Sequence, residues 1–357
     1  MITVIGGGPV GCYTAAMLAQ KGFRVSLFEE HPIIGKPVQC TGIVTDEIDN
    51  IFKLEKGTVI NKIKVARIHS SKSTAEFPVR DYVIDRAKFD QNLANMAEHA
   101  GVQVFTSHRY QFFSGTKAVL KDIRKMKTIT ANADILIGAD GPRSDVAKSA
   151  GIYGERRFLI GMQARISGRF DANVYDAYIG RGYFCWVVPE SRKIARVGVL
   201  SKNAQQIFPD FLLKTMRLHK ANAIDYQGGL VPLYSSSAKL QAGHLYLAGD
   251  AALQAKPTTG GGIVPGLRAA RILANSIRKD IPYEKELRPL KRELLTHMLI
   301  RKAIDNMDDD ELDRLVSDAH DARHVFSYYG RDSSGRLLAR LLVAKPSLFL
   351  YARKLLY

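Results

Sequence analysis

Gly6, Gly8 and Gly11 form G-x-G-x-x-G within the stretch GGGPVG, directly after the apolar run Ile2 to Ile5. That spacing suits a pyrophosphate. The first glycine makes the tight turn, the second lets phosphate approach the backbone, and the third allows close helix–strand packing. A helix beginning here offers free N–H groups and a partial positive charge. Glu29 lies 18 residues after Gly11, at the end of the strand FRVSLFEE, where a carboxylate can accept from both hydroxyls of a ribose. A dinucleotide site follows from the combination of strand, glycines, helix and acid.

Other stretches carry chemistry of their own. ADILIGADGP ends an apolar run in Asp140-Gly141, and HLYLAGDAA ends another in Gly249-Asp250. The second leads into KPTTGGGIVPG, Lys256 to Gly266, whose glycines Gly260, Gly261 and Gly262 precede a helical pattern. Its lysine stands before the glycines, the reverse of a P-loop. The loop therefore reads as bare backbone for a ligand, with no phosphate role for Lys256. Cys40 sits in the loop GKPVQCTG, which is neither strongly apolar nor helical. A thiol there is a weak acid within reach of neutral pH. Cys12 and Cys185 read as packing residues.

These groups need elements to hold them. The spacing predicts a helix from about Pro9 to Gln20, ended by Gly22. In Tyr82 to Val104 a strand precedes a helix whose core face is Phe89, Leu93, Met96 and Ala97. Arg86 opens that helix, where a cation meets a positive helix end, so it calls for a partner. Phe184, Trp186 and Val188 share one face of a predicted strand by period two. Tyr183, Phe184, Trp186 and Pro189 on this strand are the candidates for the wall of an apolar substrate channel.

Composition excludes several classes. At 357 residues, 46% hydrophobic and 24% charged, the chain has the make-up of a globular protein with two domains, or one plus an appendage. The three cysteines form neither a disulfide framework nor a zinc pattern. No apolar run approaches the ~20 residues of a spanning helix, and the chain opens directly on a strand pattern, so it reads as cytoplasmic. The formal charge of +17 favours anionic partners. From Arg331 to Tyr357 there are six Lys/Arg against one acid, Asp332, interleaved with Leu and Phe. A basic helical pair broken at Pro346 suits the anionic inner face of a membrane or a solvated cap. Nucleic acid is not expected, since no recognised motif accompanies the charge. His320 and His324 lack the pattern of a zinc protease and read as a solvated helix face.

Taken together, the first turn, Arg86 in DRxxFDxxL, Asp140-Gly141 and Gly249-Asp250 resemble the signature of FAD enzymes in the p-hydroxybenzoate hydroxylase superfamily. GKPVQCTG, FCWVVP and GDAALQAKPTTGGGI further resemble the archaeal geranylgeranyl reductases, as far as about residue 275. Thr41 and Val264-Pro265 depart from that family's usual residues. The resemblance implies FAD contacts at Val10, Glu29, Cys40, Thr41, Gly42, Arg86, Tyr110, Asp250, Gly262 and Ile263. Gly6, Gly8, Gly11, Asp140 and Gly261 complete the candidate cofactor set. Cys40 is also the candidate catalytic residue, contacting substrate or tuning proton delivery. With one G-x-G-x-x-G, electrons are expected from a transient donor such as NAD(P)H or ferredoxin.

The expected fold is α/β: a Rossmann-type FAD-binding domain from 1–60, 80–155 and 240–285. A β-rich substrate domain spans 156–239 with 61–79, and a basic helical region covers 286–357. The expected function is FAD-dependent reduction of prenyl double bonds in isoprenoid or ether lipids. A flavin monooxygenase of an apolar substrate, and a flavin-binding protein without turnover, are the alternatives.

Overall fold

The computed structural model describes residues 1–356. It opens with β1 (Ile2–Ile5), α1 (Pro9–Ala19), β2 (Val25–Phe28) and β3 (Ile43–Thr45). The hairpin β4 (Val59–His69) and β5 (Thr74–Ile84) leads to α2 (Arg86–His99) and β6 (Gln103–Phe105). A meander of β7 (His108–Ser114), β8 (Lys117–Asp122) and β9 (Lys127–Asn132) precedes β10 (Ile135–Gly138) and α3 (Asp145–Ser149). Then come β11 (Phe158–Ser167), β12 (Val174–Gly180), β13 (Tyr183–Pro189), β14 (Ile194–Ser201), α4 (Ala204–His219) and β15 (Asn222–Pro232). β16 (Gln241–Ala242) and β17 (Leu245–Leu247) are followed by α5 (Ile263–Lys279), α6 (Tyr283–Glu286), α7 (Arg288–Asp305), α8 (Asp309–Asp321) and α9 (Ser334–Ala344).

One sheet has the order β16-β17-β10-β1-β2-β6, and all its pairings except β16–β17 are parallel. Its central strands are buried on both faces, which is why they read as unbroken apolar runs. Helix α1 buries Cys12, Tyr13, Ala15, Ala16 and Leu18. Burial pushes the Cys12 thiol well above its ordinary pKa, and the Cys185 thiol up to about 12. The large sheet has the order β15-β11-β14-β13-β12-β4-β5-β3 and is antiparallel except between β12 and β4. One face carries α4 over Cys185, Val187 and Val197. The other gathers Ile63, Val83, Leu159, Trp186, Val188 and Leu200. The α/β class, the β-rich second layer and the helical C-terminal region agree with the reading of the sequence.

Some particulars differ. Ile43–Thr45 and the end of β5, assigned above to the nucleotide domain, are strands of the large sheet. Tyr110 lies on β7 of the separate meander. His320 is half-buried edge-on to Phe77, and His324 lies beyond α8, so the two share no solvated helix face.

The C-terminal segment is tied to the body by ion pairs. Lys345 meets Asp318 and Asp321, while Arg353 and Lys354 both reach Glu311. Arg331 donates to Asp81 at 2.6 Å, and Asp81 is 2% exposed. Four of the six basic residues thus answer acids of the same chain. Removing one partner of a buried pair leaves the other charge uncompensated. Arg331→Met should lower unfolding stability by about 3 kcal/mol, read from urea denaturation. Arg331→Met/Asp81→Leu should recover most of that loss.

Candidate functional site

Two helix starts face one space. The first turn takes φ +105° at Gly6, and a side chain there would collide with Ala139, while one at Gly11 would collide with Gly6 itself. A side chain at Gly8 would meet nothing within 4 Å, so this glycine borders open space. Among the described residues, no side chain caps α1. The Gly7 amide donates to Glu29 Oε2 at 2.6 Å, and Glu29 Oε1 accepts from the backbone and ring of His31. This holds the carboxylate at the rim of the turn.

The second start is α5. Gly262 precedes it with no side-chain cap. The loop before it folds on itself: the Gly260 amide donates to Lys256 O at 2.8 Å, and the Lys256 amide donates to Gly261 O. Among the described residues, the amides of Gly261, Gly262, Ile263 and Val264 donate to no protein atom. Val10 fixes the two starts against each other. Its Cγ2 atom lies 3.0 Å from a Cβ placed on Gly249 and 2.6 Å from one on Gly266, so both positions must be bare.

Charged groups line the space between. Asp250 lies beneath Gly262, its Oδ1 2.9 Å from a Cβ built there, and no described residue donates to its carboxylate. Burial raises the Asp250 pKa to about 6, opposed by Arg86. Arg86 grips Asp90 with Nε and Nη2 at 3.1 and 2.9 Å. Burial works against the guanidinium charge, but Asp90 outweighs it and the Cys40 thiol adds to the effect, so its pKa is raised. Asp90 therefore answers the positive helix end that made Arg86 an anomaly. Cys40 is half-buried, and its Sγ accepts from the Gly42 amide at 3.3 Å.

The large sheet closes the other side. Arg196 on β14 donates to Thr41 O and to Glu190, and Gln39 lies against Gly229. Leu200 and Val231 face Gly260, which has φ +70°; a Cβ there would stand 2.7 Å from Leu200 Cδ2. Trp186 and Phe184 continue this apolar face with ring centroids 5.8 Å apart, and Trp186 Nε1 donates to Gln163.

Most of the candidate residues come together: Val10, Glu29, Cys40, Thr41, Gly42, Arg86, Asp250, Gly261, Gly262 and Ile263 border one cleft. Four do not. Asp140 spends one oxygen on the Ser144 hydroxyl and the other on the Val146 amide, so it holds the turn into α3. Tyr110 is buried, with its hydroxyl against Ser149 on α3. Tyr183 and Pro189 alternate with Phe184 and Trp186, so they belong to the opposite face of β13. There Tyr183 packs with the residues under α4.

The residue list above lacked a polar network behind the α5 loop. Lys256, 6% exposed, donates to Asp332 Oδ1 at 2.6 Å, and Thr45 donates to Asp332 Oδ2 at 2.5 Å. Burial works against the Asp332 charge, but Lys256 and Thr45 outweigh it, taking its pKa down to about 2. Thr258 meets His297 Nδ1 at 2.8 Å, and His297 Nε2 faces Arg331 O at 3.1 Å. Asp332 carried one signal in the sequence: it is the single acid of a basic segment. Arg196 carried another, as a lone charge in an apolar strand.

Burial, aided by Lys256, lowers the His297 pKa to about 4. The unfolded chain takes up this proton near pH ~6.5, so stability is full above that pH and falls as the pH drops toward 4. The loss should reach ~3 kcal/mol. His297→Gln should flatten that part of the pH dependence in urea unfolding; an unchanged slope would assign it elsewhere.

The cleft fits a flavin dinucleotide: two uncapped helix starts suit anionic groups, and an unpartnered carboxylate suits ligand hydroxyls. Comparison with known proteins agrees. Residues 4–58 match the model of an NAD(P)-binding Rossmann-like domain, and residues 52–208 that of an FAD binding domain. A digeranylgeranylglycerophospholipid reductase of Methanothrix thermoacetophila is 27% identical, with 88% of this chain and 90% of that protein covered. That of Methanosarcina acetivorans is 29% identical, covering 88% and 87%. Among solved structures, a geranylgeranyl bacteriochlorophyll reductase-like protein of Thermoplasma acidophilum superposes with TM-score 0.86 at 23% identity, over 99% and 98% of the two chains. A flavin-dependent brominase is more distant, at TM-score 0.73 and 15% identity over 99% of each chain. The chain thus matches Rossmann-like and FAD-binding domain models in its first 208 residues and is similar along most of its length to digeranylgeranylglycerophospholipid reductases.

Proposed function

We propose that this protein hydrogenates the isolated double bonds of prenyl chains carried by an isoprenoid or ether lipid. The observation that carries this reading is the apolar face opposite the α5 loop. Leu200, Val231, Trp186 and Phe184 offer an alkene a dry wall. Reduced FAD, when bound, supplies a hydride to one alkene carbon, and the protein must see that a proton reaches the other.

The chain's own residues divide that work. The α1 start with Gly6, Gly8 and Gly11 would hold the pyrophosphate, Glu29 the ribose, and Asp250 with Arg86 the linking hydroxyls. Gly261, Gly262 and Ile263 would present their amides to the ring edge that gains negative charge on reduction. Leu200 and Trp186 keep water from the alkene. Cys40 would give its Sγ proton to the second carbon and recover it from solvent, with Arg86 beside the thiolate left behind. The electron donor would dock transiently, since no second glycine fingerprint provides for a bound nucleotide.

No helix among the described residues is long and apolar enough to cross a membrane. Access to a lipid would come through the exposed apolar residues Val343, Phe349 and Leu350, with Arg336 and Arg340 alongside. Phe349→Ser/Leu350→Ser should abolish cosedimentation with anionic phospholipid vesicles. Unchanged cosedimentation would place the contact elsewhere.

Anaerobic incubation of the reduced holoenzyme with an unsaturated ether lipid tests the reaction itself. Mass spectrometry should find two added hydrogens per double bond, with one equivalent of reduced flavin consumed for each. No gain would exclude the assignment. Cys40→Ala should slow single-turnover flavin oxidation by about 10²-fold, as expected for loss of a positioned acid. Reoxidation by oxygen with an oxygenated product would instead mark a monooxygenase.

A further inference from the structure

Lys256 is a buried cation placed behind a row of unsatisfied amides. Its Cε lies 3.0 Å, and its Nζ 3.6 Å, from a Cβ built on Gly261. Its own peptide anchors the loop, accepting from Gly260 and Thr259 and donating to Gly261. Its ammonium can donate three hydrogen bonds, and among the described residues it meets one acceptor, Asp332. A pair this buried gives little stability over apolar residues of the same size. Its orientation, however, is fixed. The positive end lies against the loop, and the negative end is held by Thr45 and the C-terminal segment.

We propose that the Lys256–Asp332 pair sets the electron affinity of the flavin by holding a positive charge behind the Gly261–Ile263 amides. The inference rests on the reading that this loop faces the flavin ring. Two-electron reduction adds negative charge at the ring edge facing the loop. An ammonium on the far side of one layer of backbone, screened by little water, favours that charge. Lys256 touches neither ring nor substrate, so it is a positioning residue. This role gives the lysine before the glycines a use, with its stem running against the loop at Gly261.

The test is the two-electron midpoint potential of bound FAD, by anaerobic spectroelectrochemical titration of the holoenzyme. Lys256→Met/Asp332→Asn removes both buried charges and leaves neither orphaned. It should bind FAD as the wild type does, yet lose at least tenfold in the reduced-to-oxidised equilibrium, a fall of about 30 mV. Lys256→Gln, whose amide can still donate to Asp332, should fall in the same direction, which keeps the test open if the double variant does not fold. Lys256→Arg should stay within threefold of wild type. Wild-type potentials in the double variant or in Lys256→Gln would make the pair merely structural and overturn the proposal. Gly262→Val separates the underlying reading: normal FAD binding in that variant would place the ring away from this loop.

Discussion

Two helices, α1 and α5, begin with main-chain N–H groups that no side chain among the described residues caps, and they begin facing the same space. Such groups are costly to leave unmet inside a fold, so the arrangement is stable only with an acceptor or solvent before them. Much of the nearby structure keeps them in that position. Val10 presses into hollows left by Gly249 and Gly266, locking the two helix starts together. Larger residues at either glycine would force them apart. The parallel sheet, with β1 and β17 on either side of β10, delivers both starts to one end of its strands.

The large sheet has a different relation to this space. Its α4 face is an ordinary core, while its other face supplies Leu200, Val231 and Trp186 to the cleft. Arg196 on this sheet donates to the carbonyl of Thr41, in the loop that carries Cys40. The cleft is thus charged on one side and apolar on the other. This suits a polar cofactor and a hydrocarbon substrate in one place.

The C-terminal segment belongs to the same construction. Asp332 ties Lys256 and Thr45 together, and the neighbouring Arg331 neutralises Asp81 and offers its carbonyl to His297. Four of its six basic residues looked in the sequence like part of a surface patch because their acids lie elsewhere in the chain. Asp81 precedes Arg331 by 250 positions. No local pattern reveals such a pairing.

The nucleotide-binding turn, the helix opened by Arg86, the strand ends at Asp140 and Asp250 and the apolar strand around Trp186 were legible because each follows from local rules. Turn glycines, helical spacing and the alternation of strands act over a few residues. The same alternation already separated Trp186 from Tyr183, although both stood in the expected channel wall. Where a carboxylate points was not legible: Asp140 and Asp250 end similar strands, yet one accepts from Ser144 and Val146 at the turn into α3 and the other meets no donor among the described residues. By itself the sequence determined the elements and the kind of ligand they suit. Only the tertiary structure decided which groups share the cleft and which charges cancel, because burial and pairing depend on residues brought together across hundreds of positions.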